Sequence, residues 1–83
     1  MNKQEIVALL VKNLKKAVPE FADGDLDTSK SYRELGVNSM ELVEVVTRTG
    51  KELGMAISFA ALTSVKTTDD LAEVILSLKA AAK

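Results

Sequence analysis

The sequence has no cysteine and no histidine among its 83 residues. Without cysteine there is no disulfide staple and no thiolate metal site, and without histidine there is no Ser-His or Cys-His catalytic pair. Metal sites built only of carboxylates stay open in principle, and none is expected. Neither sign of charge dominates: eleven lysines and arginines face twelve aspartates and glutamates. No basic field exists to drive binding to a phosphate backbone, so nucleic acid is not an expected partner. No apolar run approaches the roughly 18 residues of a membrane span, and the opening MNKQEIVALLVKNLKK lacks the order of a signal peptide. A cytoplasmic protein without a membrane span is expected, and Met1-Asn2-Lys3 reads as the natural start of a discrete, monomeric chain.

A chain of this length forms one domain, residues 1–83, and buries only about 60% of its unfolded surface. Its organisation follows from periodicity. Ile6, Leu9, Leu10, Leu14 and Ala17 recur at helical spacing, with Lys3, Lys12, Asn13 and Lys16 expected on the opposite side. This helix I ends before Pro19, the single proline. From Val18 to Val37 the chain holds turn residues with isolated Phe21, Leu26, Tyr32 and Leu35, which predicts a long ordered loop dropping side chains into the core. From Ser39 to Leu53, Leu42/Val43, Val46, Thr49/Gly50 and Leu53 form an inner face and Glu41, Glu44, Arg48 and Glu52 an outer one, a second amphipathic helix closed by Gly54. Gly50 inside it costs about 1 kcal/mol relative to alanine and points to close approach of a neighbouring backbone. Between Met55 and Lys66, Phe59, Leu62 and Val65 predict a short helix III. Thr67 with Asp70 three residues on opens a fourth helix carrying Leu71, Val74, Ile75 and Leu78.

The polar pair Asn38-Ser39 stands between the Gly36 turn and the second helix. Asn38 lies three residues before Glu41, the spacing of a capping box, so Asn38 caps the helix and Glu41 reaches back. Ser39 then occupies the first helical position, its hydroxyl not needed for capping and directed outward. A phosphate there would gain about 0.3–1 kcal/mol from the helix N-terminus.

The stretch SYRELGVNSMELVEVV, Ser31 to Val46, resembles the acyl and peptidyl carrier proteins, whose signature is an aromatic or apolar residue, an acidic-Leu-Gly turn, then Asp-Ser-Leu opening helix II. The likeness continues through KELGMAIS, Lys51 to Ser58, and TTDDLAEVI, Thr67 to Ile75, and covers essentially the whole chain. It implies an all-α fold: a small four-helix bundle with three main helices, a short helix III, a long loop between helices I and II, and helix I against II and IV. It further implies a non-catalytic carrier. A phosphopantetheinyl transferase would take 4'-phosphopantetheine from coenzyme A and attach it covalently to Ser39. Acyl groups would then ride as thioesters on the imported thiol, placed there by an acyltransferase or acyl-activating ligase and used by a ketosynthase or other tailoring enzymes.

Two positions depart from the signature. Asn38 replaces the usual aspartate and removes a charge that transferases meet with a basic group or metal ion. Met40 replaces leucine, a volume-conserving change. The expected recognition surface is Asn38, Met40, Glu41 and Glu44, with Met55, Ala56 and Ile57 as secondary contacts. Pairing of Arg48 with Glu44 and Glu52 at i,i+4 would dilute the acidic face of helix II, which resembles carriers of polyketide or nonribosomal-peptide pathways more than fatty-acid carriers. The competing expectation, resting on Asn38 and the mixed-charge helix, is a four-helix interaction module that never carries the arm. A stand-alone enzyme lacks a credible base.

Overall fold

The computed structural model describes residues 2–21, 24, 26–57, 62 and 64–81. Its helices are α1 (Lys3–Ala17), α2 (Tyr32–Leu35), α3 (Ser39–Leu53) and α4 (Thr68–Ala81), with a 3-10 turn at Pro19–Phe21. The architecture is all-α, and the one β-type pairing among the described residues is an isolated bridge between Ser31 and Thr67. No helix is long and apolar enough to cross a membrane among the described residues.

Helix α1 starts at a capping box: the Asn2 side chain accepts from the Glu5 N–H at 2.9 Å, and the Asn2 N–H donates to Glu5 at 3.1 Å. It stops at Val18, whose backbone is extended, as the residue before a proline requires. Lys15 and Lys16 in the last turn complement the dipole. Ile6, Leu10 and Leu14 are fully buried, and α1 packs against both α3 and α4. The opposing faces are Val45 and Val46 of α3 and Leu71, Ala72 and Ile75 of α4, with Val18, Tyr32 and Val37 closing the cluster.

Asn13 corrects the sequence expectation, because it is fully buried rather than outward. It continues the stripe of residues 6, 10, 14 and 17, and spacing outweighs its polarity. Its amide nitrogen donates to Thr49 Oγ1 at 2.8 Å, and the Thr49 hydroxyl donates to the Val45 carbonyl at 2.7 Å. One turn towards solvent, Lys12 meets Glu52 at 3.0 Å. The two contacts run residues 12 and 13 against 52 and 49, so α1 and α3 are antiparallel.

The loop after α1 also differs from expectation, since it contains α2. Ser31 and Glu34 form a second capping box around this single turn, at 3.1 Å in both directions. Two backbone hydrogen bonds tie the segment around the turn to the entry of α4: Tyr32 N–H to Lys66 carbonyl at 2.7 Å, which belongs to the Ser31–Thr67 bridge, and Asp69 N–H to Thr28 carbonyl at 3.3 Å. Thr67 and Asp70 cap α4 reciprocally, at 3.0 and 3.3 Å. The predicted helix III centres on residues 58–61 and 63, which lie outside the described residues; its Leu62 and Val65 pack against the core.

At the end of α3, Gly54 adopts φ 68°, Gly54 N–H donates to Lys51 carbonyl at 3.3 Å and Met55 N–H to Gly50 carbonyl at 2.9 Å. This closure brings the Met55 carbonyl so near the helix that a Cβ on Gly50 would lie 2.7 Å from it. The glycine is therefore required by the loop. Gly50→Ala gains about 1 kcal/mol of helix propensity but loses more by overpacking, and a net destabilisation of about 1–2 kcal/mol is expected in urea unfolding.

Tyr32 is the only tyrosine and there is no tryptophan. Burial pushes its phenol up to about 12, with Asp69 and Asp70 acting in the same direction and the Thr68 hydroxyl against it. A folded value above the unfolded value of 10.0 contributes stability that is present below pH 10 and lost as pH rises towards 12. Absorbance titration at the phenolate band reads this residue alone. It should show no ionisation at the ordinary tyrosine midpoint, and a step near pH 10 in folded protein would contradict the burial.

Candidate attachment site

Two short elements build the site. Gly36, with φ 80°, ends α2, and its N–H donates to the Arg33 carbonyl at 3.2 Å. Val37 is buried, and its N–H donates to the Tyr32 carbonyl at 2.9 Å. The chain then leaves the core and α3 begins at Ser39. Asn38 caps it: Asn38 Oδ1 accepts from the Glu41 N–H at 2.8 Å, and the Asn38 N–H donates to Glu41 Oε1 at 3.0 Å.

Ser39 is exposed at the first position of α3, and its hydroxyl makes no hydrogen bond among the described residues. The division of labour expected from spacing is present: asparagine holds the helix end and leaves the serine oxygen to solvent. Ser39, Met40 and Val43 line a shallow surface depression. Met40 is the large exposed apolar side chain, 82% accessible among described residues. Val43 belongs to this outer surface and not to the inner face predicted for it; the core position is Val45, fully buried and absent from the predicted stripe. The inner face of α3 is centred on Val45, Val46, Thr49 and Gly50, with Leu42 and Leu53 packed beside them, which is the expected face with Val45 in place of Val43.

The remaining predicted residues fall into two groups. Asn38, Met40, Glu41 and Glu44 surround the serine on the first turns of α3. Met55, Ala56 and Ile57 follow the far end of α3 and fold back beside Gly50, about 16 Å along the helix from Ser39 at 1.5 Å per residue, where they line a groove with Val46, Thr47, Gly50, Lys51 and Gly54. Met55 and Ile57 also pack on the core. Arg48 approaches Glu44 at 3.9 Å, whereas Glu52 bonds Lys12 instead of the expected Arg48. Lys12 also holds the Glu52 carboxyl below its usual range, by hydrogen bonding and charge. Among the described residues no group of three or more acidic, histidine or cysteine side chains is placed to hold a metal.

A phosphate ester on Ser39 fits this geometry. The oxygen is accessible, the cap does not consume it, and the α3 N-terminus favours negative charge by about 0.3–1 kcal/mol. Residues 4–75 match the family model described as the phosphopantetheine attachment site. The chain is 31% identical over 75 residues, 90% of its length and 92% of the relative's, to the polyketide biosynthesis acyl-carrier-protein AcpK of Bacillus subtilis (strain 168). Its fold matches, with TM-score 0.83, a chain in a crystal structure of the curacin biosynthetic pathway HMG synthase in complex with acetyl donor-ACP. That match is at 23% identity and covers 93% of this chain and 99% of the other. The chain belongs to the acyl carrier proteins, the family that bears covalent 4'-phosphopantetheine.

The cap role of Asn38 is separable from any other role. Asn38→Ala should lower stability by about 1 kcal/mol in urea unfolding. Asn38→Asp keeps an equivalent cap and adds a charge at the helix start, so it should raise stability by a few tenths of a kcal/mol, roughly 0.3 or more. Equal stability of the alanine variant and wild type would contradict the capping geometry.

Proposed function

We propose that this protein is a non-catalytic acyl carrier modified on Ser39, which shuttles acyl thioesters between cytoplasmic enzymes of polyketide assembly. The observation that carries the reading is the exposed Ser39 hydroxyl at the start of α3, released from capping by Asn38. The serine oxygen would form a P–O bond to the pantetheine-bearing phosphorus of coenzyme A as the bond to the adenosine bisphosphate breaks. The hydroxyl proton would pass to a base on the phosphopantetheinyl transferase. Once bound, the group supplies a terminal thiol to a chain with no cysteine. An acyltransferase or acyl-activating ligase would then load it, and a ketosynthase or other tailoring enzyme would consume the thioester.

The surface around Ser39 suits brief docking. Met40 offers an apolar contact, and Glu41 and Glu44 lie within a turn and a half of the serine, so charge sets encounter rate and partner choice while the contact area stays small. The polyketide assignment is supported by the AcpK likeness and the mixed charge of α3, where Glu44 approaches Arg48.

Incubating the protein with coenzyme A and a broad-specificity transferase should add one phosphopantetheine by intact mass, and Ser39→Ala should gain none. Failure with several transferases, together with function of a Ser39→Ala gene in the native host, would instead establish an unmodified interaction module.

A further inference from the structure

The serine turn hangs from α2, a single helical turn seated on the core by Tyr32, which is buried, and Leu35, which is half-buried. Tyr32 lies at both ends of its suspension. Its N–H donates to the Lys66 carbonyl at 2.7 Å, and its carbonyl accepts the Val37 N–H at 2.9 Å, one residue before the cap of α3. The neighbouring Ser31–Thr67 bridge and the Asp69–Thr28 hydrogen bond keep the same two segments together. The ring is 5% exposed and belongs to the core cluster. Its hydroxyl lies beside that of Thr68, yet neither has a hydrogen-bond partner among the described residues. Unpartnered buried hydroxyls cost stability rather than supply it. The ring and the backbone, not the phenol oxygen, are therefore the anchor.

We propose that Tyr32 is a positioning residue for Ser39, linking the segment that leads into α4 to the pose in which the serine meets its modifying enzyme. The proposal rests on Ser39 being the attachment residue, and Tyr32 touches no reacting atom.

The test uses the full chain with Tyr32→Leu, Tyr32→Phe and, as a core control away from the turn, Ile75→Ala, all confirmed folded by circular dichroism. Transfer rates from coenzyme A are measured alongside amide exchange at Gly36 and Val37, whose N–H groups are hydrogen-bonded within the turn. Tyr32→Leu should lower kcat/KM about tenfold, mainly in kcat, because small misplacements of a reacting group are costly. It should also speed exchange at the two turn amides relative to α1. Tyr32→Phe, which keeps the ring, should stay near wild type in both. Ile75→Ala should loosen α1 and α4 and leave transfer unchanged. Wild-type transfer by folded Tyr32→Leu, or an equal loss in Ile75→Ala, overturns the proposal. If Tyr32→Leu does not fold, wild-type exchange decides: the amides of Tyr32 and Val37 should open together with matching protection, and independent opening overturns the link. A wild type that accepts no phosphopantetheine overturns the attachment reading, while the exchange arm still decides whether Tyr32 holds the turn.

Discussion

Everything else in the fold is arranged around one buried stripe on α1. Ile6, Leu10 and Leu14 are inaccessible to water, and α1 is the helix that packs against both α3 and α4. Full burial of each such side chain contributes about 1.5–3 kcal/mol, a large share of what a chain this short can assemble. The stripe also carries Asn13, whose bond to Thr49 adds direction to an otherwise non-directional contact. A one-turn slip of α1 along α3 would strand the Asn13 amide in the core, at about 1–3 kcal/mol for an unsatisfied group, while Thr49 would keep its bond to the Val45 carbonyl. Apolar burial supplies the stability, and the single amide fixes the register.

That register determines where the serine stands. With α3 held by Leu42, Val45, Val46 and Thr49, Ser39 and Met40 at its start are left facing solvent, and the chain entering it turns sharply at Gly36. The cap then decides which oxygen is available. Asn38 and Glu41 satisfy each other's backbone N–H groups, so the helix end is closed without the serine. Had Ser39 been the cap, its hydroxyl would be engaged with the backbone and poorly placed for a partner. On the proposed reading, the chemistry of the site is prepared one residue upstream of the residue that would bear it.

Features that depend on neighbours within four residues were legible in the sequence. The caps at Asn38 and Thr67, the stop before Pro19 and the αL glycine at 54 all follow from local geometry. The same grammar marked Ser31 and Glu34, but a single turn has no periodicity, and α2 was read as loop. For Asn13, residue type and spacing point opposite ways: polarity places it outside, but 6, 10, 13 and 14 share one face and it is buried. Val43 and Val45 were exchanged because valines at 43, 45 and 46 leave the centre of the apolar face open to within one position. What local patterns do not carry is long-range pairing. Nothing near Tyr32 announces that its N–H bonds the carbonyl of Lys66. Gly50 was an intermediate case, since its presence signalled a close approach and the structure supplies the partner, the Met55 carbonyl.

The asparagine at 38 is best weighed by comparing magnitudes. As caps, asparagine and aspartate rank together, and the geometry at Asn38 is a complete capping box, so the fold gives no reason to prefer the acid. The charge difference at the helix terminus amounts to about 0.3–1 kcal/mol, and Glu41 already supplies an anion in that turn. Both effects are small beside the core. The consequence of the missing charge therefore falls on encounters with partners, where one charge beside the reacting oxygen acts within the Debye length of about 8 Å. Glu41 and Glu44 lie in that range on the same helix, whereas the opposing Arg48 is drawn to within 3.9 Å of Glu44. An apolar Met40 standing 82% exposed beside the serine then forms a larger part of what a partner meets. On the proposed reading, the balance of recognition at this site shifts from charge towards shape, on a fold nearly indifferent to the change.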